Sequence, residues 1–245
     1  MIRSDAIDTV TGDESTSNGH RLVLFDIDGT LLSAGRAARE SVLAALETVY
    51  GWTGSADSHD FSGKTDPQII RELIIESAGD ERCEALLERA LDVYLSELSR
   101  RLTPGAVVPK PGVGELLVRL AAKPAVTLAL LTGNLEPGAR IKLEPPGFNS
   151  YFPFGAFGSD SADRYRLPAI AVERARARTG ITFSGKSIVI VGDSVHDVGC
   201  GRSLGVRSVA VATGPTRPER LAAEKPDVLL ESFADVDRAA EAILA

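Results

Sequence analysis

Four carboxylates fall where apolar runs end. Asp26 and Asp28 stand two residues apart at the close of Leu22–Ile27, immediately before Gly29 and Thr30. Side chains two apart on an extended segment point the same way, and Gly29 then lets the chain turn. Asp193 closes a second run, Val189-Ile190-Val191-Gly192, and Asp197 follows four residues later on the turn or first helical turn beyond it. A third run, Val126–Leu131, ends in Thr132-Gly133-Asn134. That triplet offers a hydroxyl, a backbone that can approach a ligand closely, and an amide. Any one of these segments alone reads equally as a turn rich in Asp, Asn and Gly. Three strand ends of one kind are harder to explain that way.

Carboxylates gathered in one crevice repel. At 4 Å and an effective dielectric near 20, each pair costs about 4 kcal/mol. A divalent cation resolves the conflict, and carboxylates completed by water and a substrate phosphate suit Mg2+. Four negative charges against two positive ones still leave about −2, so a phosphate dianion requires a further cation. The segment Ser159–Pro168 carries Arg164 and Arg166 on the loop before a helix that starts near Pro168. Guanidinium groups match phosphate oxygens.

These residues need a frame that brings strand ends together. The runs Leu22–Ile27, Val126–Leu131, Ser187–Val191, Arg207–Ala212 and the short Asp227–Leu230 are continuous rather than alternating, the pattern of strands covered on both faces. Helical patterns over Val113–Ala122, Pro137–Leu143, Pro168–Thr179 and Asp197–Leu204 lie between them, and Ala234–Leu244 follows. The alternation predicts an α/β fold with a doubly wound, mainly parallel, Rossmann-like sheet, whose ligands bind beyond the carboxyl ends of the strands. Residues 35–103 break the pattern and read as helix only. Ala37–Tyr50 is amphipathic; Asp66 as N-cap and Pro67 in the first turn introduce Gln68–Ser77. A third helix aligns Cys83, Leu86, Leu87, Ala90, Leu91, Tyr94, Leu95 and Leu98, three and four apart, on one apolar face. The expected organisation is a core of residues 21–34 and 104–245, an inserted helical cap domain over 35–103, and a polar leader over 1–20.

Composition narrows the field. The chain has 245 residues, 44% hydrophobic and 25% charged, which excludes a wholly disordered chain or a fibre. No stretch approaches the length of about 18 apolar residues that a membrane span needs. The net charge of −7, without a basic stripe, argues against nucleic acid and anionic lipid. Two cysteines, Cys83 and Cys200, form no C-x-x-C, which fits a reducing cytoplasm. A monomer or a homodimer is expected.

The succession Asp26-x-Asp28-Gly29-Thr30, Thr132-Gly133-Asn134, a basic loop and Gly192-Asp193-x-x-x-Asp197 resembles the haloacid dehalogenase superfamily, from Arg21 to about Ala212. The helical insertion behind the first motif looks like the cap of its phosphoglycolate phosphatase and β-phosphoglucomutase branch. Gly63-Lys64-Thr65-Asp66-Pro67-Gln68 is similar to a cap motif of that branch. The resemblance implies a Mg2+-dependent phosphatase acting on a small phosphorylated metabolite, phosphoglycolate-like or a sugar phosphate. Asp26 would attack phosphorus and form an aspartyl phosphate. Asp28 would protonate the leaving oxygen and then take a proton from water. Asp26, Asp193, Asp197 and the main-chain carbonyl of Asp28 would hold the metal, Asp197 directly or through water. Thr132, Gly133 and Asn134 would bind the phosphoryl oxygens. Haloalkanoate dehalogenases lack the second carboxylate, so Asp28 favours phosphoesters. The superfamily usually places lysine in the third motif, and this chain has arginines there. Arg164 is the choice, because it is less committed to the helix start; Arg166 is the reserve. Lys64 and Thr65 are expected to set substrate selectivity.

Other readings have less support. Gly180–Ser187 matches the G-x-x-x-x-G-K-S pattern, but it follows a helix and feeds a strand, the reverse of a phosphate-binding loop. A phosphomutase would use the same aspartates and return the phosphoryl group to a sugar. A catalytically silent binding protein would have no need of the whole acidic set.

Overall fold

Continuous apolar runs become central strands because both faces are covered. The computed structural model describes residues 19–56, 58–78 and 80–245; the expected leader lies outside the described residues apart from Gly19 and His20. In chain order the elements are β1 (Arg21–Phe25), β2 (Leu32–Ser33), α1 (Ala37–Tyr50), α2 (Asp66–Ala78), α3 (Asp80–Arg101), β3 (Val108–Pro109) and α4 (Val113–Ala121). There follow β4 (Val126–Leu131), α5 (Glu136–Leu143), β5 (Gly155–Ala156), α6 (Leu167–Thr179), β6 (Ile188–Gly192) and α7 (Val195–Leu204). The chain ends with β7 (Arg207–Val211), α8 (Pro218–Ala223), β8 (Val228–Leu230) and α9 (Val236–Leu244).

Six strands form one sheet in the order β5-β4-β1-β6-β7-β8, and its ladders are parallel. Successive residues alternate between two cores. Val23, Phe25, Leu130 and Val191 face a core shared with α4, α9 and the helical insertion. Leu22, Leu24, Leu131 and Ile190 pack on Leu167, Ala171 and Ala175 of α6. Because β1 lies between β4 and β6, the chain leaves the centre in both directions, and a crevice opens at the carboxyl ends of these three strands. The doubly wound α/β fold is as expected.

Between β2 and β3 the chain forms the three helices α1, α2 and α3. Val42 and Leu46 of α1, Ile70 and Leu73 of α2, and Tyr94 and Leu98 of α3 are buried in one cluster, and the Tyr50 hydroxyl donates to the Cys83 carbonyl at 2.9 Å. The entry and exit of this segment are tied by a two-stranded antiparallel ribbon, Leu32 opposite Pro109 and Ser33 opposite Val108. That ribbon, β5 and α8 were not legible as periodic patterns, since β2, β3 and β5 are two residues each and α8 six. One local expectation is corrected. Asp66 does not cap α2; it is the first helical residue, and the Thr65 hydroxyl accepts the Gln68 N–H at 3.3 Å instead. Gly180 closes α6 in a left-handed conformation, and Lys186 pairs with Asp227 at 2.6 Å, so the G-x-x-x-x-G-K-S segment is a helix-to-strand connection.

Candidate active site

The ladder register decides what meets at the crevice. Phe25 lies opposite both Leu130 and Val191, and the Asp26 N–H donates to the Val191 carbonyl at 3.0 Å. Asp26 and Asp193 are thereby held side by side, both buried. The Thr30 hydroxyl donates to Asp193 Oδ1 at 3.0 Å. Two glycines make room: a Cβ at Gly29 or Gly214 would lie 2.4 or 1.6 Å from Asp193 Oδ2. Asp197 is oriented by its helix. Its Oδ2 accepts the Ser194 N–H at 3.0 Å and the Ser194 hydroxyl at 2.6 Å, while Ser194 Oγ accepts the Asp197 N–H, a reciprocal box at the start of α7. Asp26, Asp193 and Asp197 each offer an oxygen within 4.8 Å of the others.

Arg164 enters this acidic group and Arg166 does not. Arg164 is buried on a short turn before α6, whereas Arg166 is exposed. Arg164 Nη2 donates to Asp26 Oδ1 at 2.9 Å and also to Asp197 Oδ1. Its Nε is buried with no hydrogen-bond partner, a donor whose desolvation an arriving oxygen would repay. Burial pushes the Asp26 carboxyl up to about 7, with Asp197 and Asp28 adding to the rise and Arg164 opposing it. Burial likewise raises Asp193 well above the usual carboxylate range. One guanidinium does not balance three buried carboxylates. An all-oxygen donor set short of positive charge fits a hard divalent cation such as Mg2+.

The second cation is one that sequence reasoning missed. Lys142, on α5, is 3% exposed, and its Nζ donates to Asp28 Oδ2 at 2.7 Å and to Asn134 Oδ1 at 2.6 Å. Asn134 Nδ2 in turn donates to Asp28 Oδ2 and to Thr132 Oγ1, both at 2.8 Å. The signal was present in α5: Gly138, Ala139, Lys142 and Leu143 are its buried residues, a stripe at helical spacing that includes the lysine.

The loop that precedes α2 closes over the crevice. A Cβ at Gly63 would meet Ser194 Oγ at 2.6 Å, and one at Gly133 would meet the Lys64 carbonyl oxygen at 2.0 Å. The Asp66 N–H donates to the Gly133 carbonyl at 2.8 Å, and Asp66 Oδ2 accepts the Leu135 N–H at 2.8 Å. Burial pushes Asp66 up to about 6, against the pull of Lys142. Thr65, expected to face the substrate, is fully buried, and its hydroxyl donates to the Ala162 carbonyl at 2.8 Å. It therefore ties this loop to the core. Lys64 does line the cavity and pairs with Glu72. The cavity between insertion and core has a volume of about 460 Å3; Asp26, Asp28, Thr132 and Arg164 line its core side, and Val42, Phe61 and Ile69 an apolar wall.

Comparison with known proteins gives this geometry a context. The family model described as haloacid dehalogenase-like hydrolase matches residues 23–211. The phosphoglycolate phosphatase 1 of Pseudomonas aeruginosa is 28% identical over 243 residues, covering 91% of this chain and 82% of that protein. The Dickeya dadantii protein named "Probable phosphatase IndB" is 27% identical, covering 91% and 94%. Among solved structures, CbbY from Rhodobacter sphaeroides in complex with phosphate superposes with a TM-score of 0.65 at 19% identity, covering 89% of this chain and 96% of that one. A hydrolase from Pseudomonas syringae gives a TM-score of 0.67 at 20% identity, covering 91% and 98%. At these identities the structures speak for the fold.

Proposed function

We propose, since this chain belongs to the haloacid dehalogenase-like hydrolase family, that it is a phosphatase hydrolysing a small-molecule phosphomonoester through an aspartyl phosphate on Asp26. The observation that carries the reading is the meeting of Asp26, Thr132 and Asp193, from three adjacent strand ends, with Arg164, from the turn before α6, in the lining of one cavity. The names of relatives at 28% and 27% identity, "Phosphoglycolate phosphatase 1" and "Probable phosphatase IndB", support the same class of reaction.

Two displacements make up the reaction. An Asp26 oxygen attacks phosphorus, the bond to the leaving oxygen breaks, and Asp28 gives that oxygen its proton. Asp28 then takes a proton from water, the hydroxide attacks phosphorus, and the bond to Asp26 breaks to release inorganic phosphate. Arg164 and the Thr132 hydroxyl bind the transferring phosphoryl oxygens, with Gly133 and Asn134 completing the cradle. Asp26, Asp193, Asp197 and the Asp28 main-chain carbonyl would hold Mg2+, which supplies charge neutralisation when bound. Lys64 would meet the substrate's far end. Two buried cysteines, Cys83 and Cys200, that form no disulfide suit a reducing cytoplasm, and among the described residues no helix is long and apolar enough to cross a membrane. A monomer or homodimer suffices for this chemistry.

The test is phosphate release from phosphoglycolate, sugar phosphates and nucleotides with Mg2+ present. Release from at least one alkyl phosphomonoester is expected. Isomerisation of a sugar 1-phosphate without free phosphate would make the chain a phosphomutase, and silence across the whole panel would leave a binding protein.

A further inference from the structure

The proposed acid–base residue is not positioned by its own strand. Asp28 stands three residues beyond the end of β1, and its side chain is 42% exposed. Its Oδ2 accepts two donors, Lys142 Nζ at 2.7 Å and Asn134 Nδ2 at 2.8 Å. With Oδ2 taken up in this way, Oδ1 is the oxygen left to carry a transferable proton. Asn134 is itself directed by Lys142. The ammonium donates to Asn134 Oδ1 at 2.6 Å, and this turns Nδ2 toward Asp28 and Thr132. A reversed amide would set its oxygen against the Asp28 carboxylate. Thr132 Oγ1 then accepts from Asn134 Nδ2 at 2.8 Å and from the Asn134 N–H at 3.3 Å. Both of its lone pairs are occupied, so its own proton is available to an incoming oxygen.

We infer that Lys142 is a positioning residue for the reaction: it fixes which Asp28 oxygen carries the proton and, through Asn134, aims the Thr132 hydroxyl. This rests on the reading of Asp28 as acid and base given above. Among the described residues the Lys142 ammonium bonds to Asp28 and Asn134 and not to Asp26 or Asp193, so its effect should fall on proton transfer rather than on nucleophile formation. A buried ammonium with two polar partners from another strand end and loop is also a costly way merely to fill space.

The experiment compares Lys142→Met with the wild type on two esters. One is the alkyl phosphomonoester hydrolysed best in the release panel. The other is p-nitrophenyl phosphate, whose phenolate leaves without needing a proton. General acid–base assistance is worth roughly 10²–10⁴-fold. Lys142→Met should therefore lower kcat on the alkyl ester by about 10²-fold or more, with KM little changed. The first turnover of p-nitrophenyl phosphate should slow by less than about 10-fold. Because the second step needs Asp28 as base, this variant should also show a burst of p-nitrophenolate equal to the enzyme present. Lys142→Arg, which keeps the charge, should recover part of the alkyl-ester rate. Equal losses on both esters without a burst, or no loss at all, would overturn the inference. Should Lys142→Met fail to fold, Lys142→Gln answers by the same two readouts. A wild type that releases phosphate from neither ester would instead refute the phosphatase reading, and the positioning role with it.

Discussion

The backbone of Gly133 touches the backbone of Lys64: a Cβ on the former would lie 2.0 Å from the latter's carbonyl oxygen. The contact joins a core strand end to the loop that enters α2, and the Asp66 N–H bond to the Gly133 carbonyl lies beside it. No flexible side chain intervenes to give way. Gly133→Ala should push the loop outward, destabilise the fold by about 1–3 kcal/mol, and raise KM more than it lowers kcat. Urea unfolding together with steady-state kinetics checks both; an unchanged KM would mean that loop docking does not shape the substrate site.

Asp26→Asn keeps the side-chain shape and an acceptor for Arg164 Nη2, which now meets Asp26 Oδ1 at 2.9 Å. It removes the proposed nucleophile. Turnover should drop by about 10⁴-fold or more, while the melting temperature stays level or rises because a buried negative charge is gone. Phosphate release and thermal melting are the measurements, and substantial retained turnover rules out the aspartyl phosphate.

The buried group of Asp26, Asp193 and Asp197 should make the protein's stability respond to Mg2+. Ligand at 100 times its Kd adds about 2.7 kcal/mol, which for a chain of this size is a rise in Tm of roughly 5–10 °C. Asp193→Asn should lose most of that response and most activity. A melting temperature indifferent to Mg2+ in the wild type would count against the metal site.

Asp66 should leave a mark on stability against pH. Burial raises it from 3.8 to about 6 in the folded chain, so the folded state holds its proton more tightly than the unfolded one. The stabilising contribution is fully present below about 4 and is lost as pH rises through 6. Asp66→Asn retains an acceptor for the Leu135 N–H and no longer titrates. Between pH 4 and 6.5 the wild type should therefore lose on the order of 2 kcal/mol relative to this variant. Parallel urea-derived stability curves for the two proteins would contradict the assignment.

Much of this molecule follows from local pattern. Five apolar runs with helices between them specify the parallel sheet, because strands covered on both faces admit no polar alternation. The places of Asp26, Thr132 and Asp193 follow from the same runs, since a parallel sheet aligns its carboxyl ends. The choice of Arg164 over Arg166 rests on spacing, two residues further from the start of α6, and the structure buries the former and exposes the latter. Lys142 is different. It stands 114 residues from Asp28 on an eight-residue helix, where a lysine ordinarily reads as solvated. Only the folded chain brings the distant Asp28 carboxylate to it, beside the nearby Asn134 amide oxygen, and these two acceptors make its burial tolerable. Thr65 shows the converse, a loop hydroxyl that local sequence leaves open to substrate and that the Ala162 carbonyl claims, 97 residues away. Sequence periodicity specifies which face of an element is apolar; which polar atoms meet across elements depends on register and crossing, and those exist only once the chain is folded.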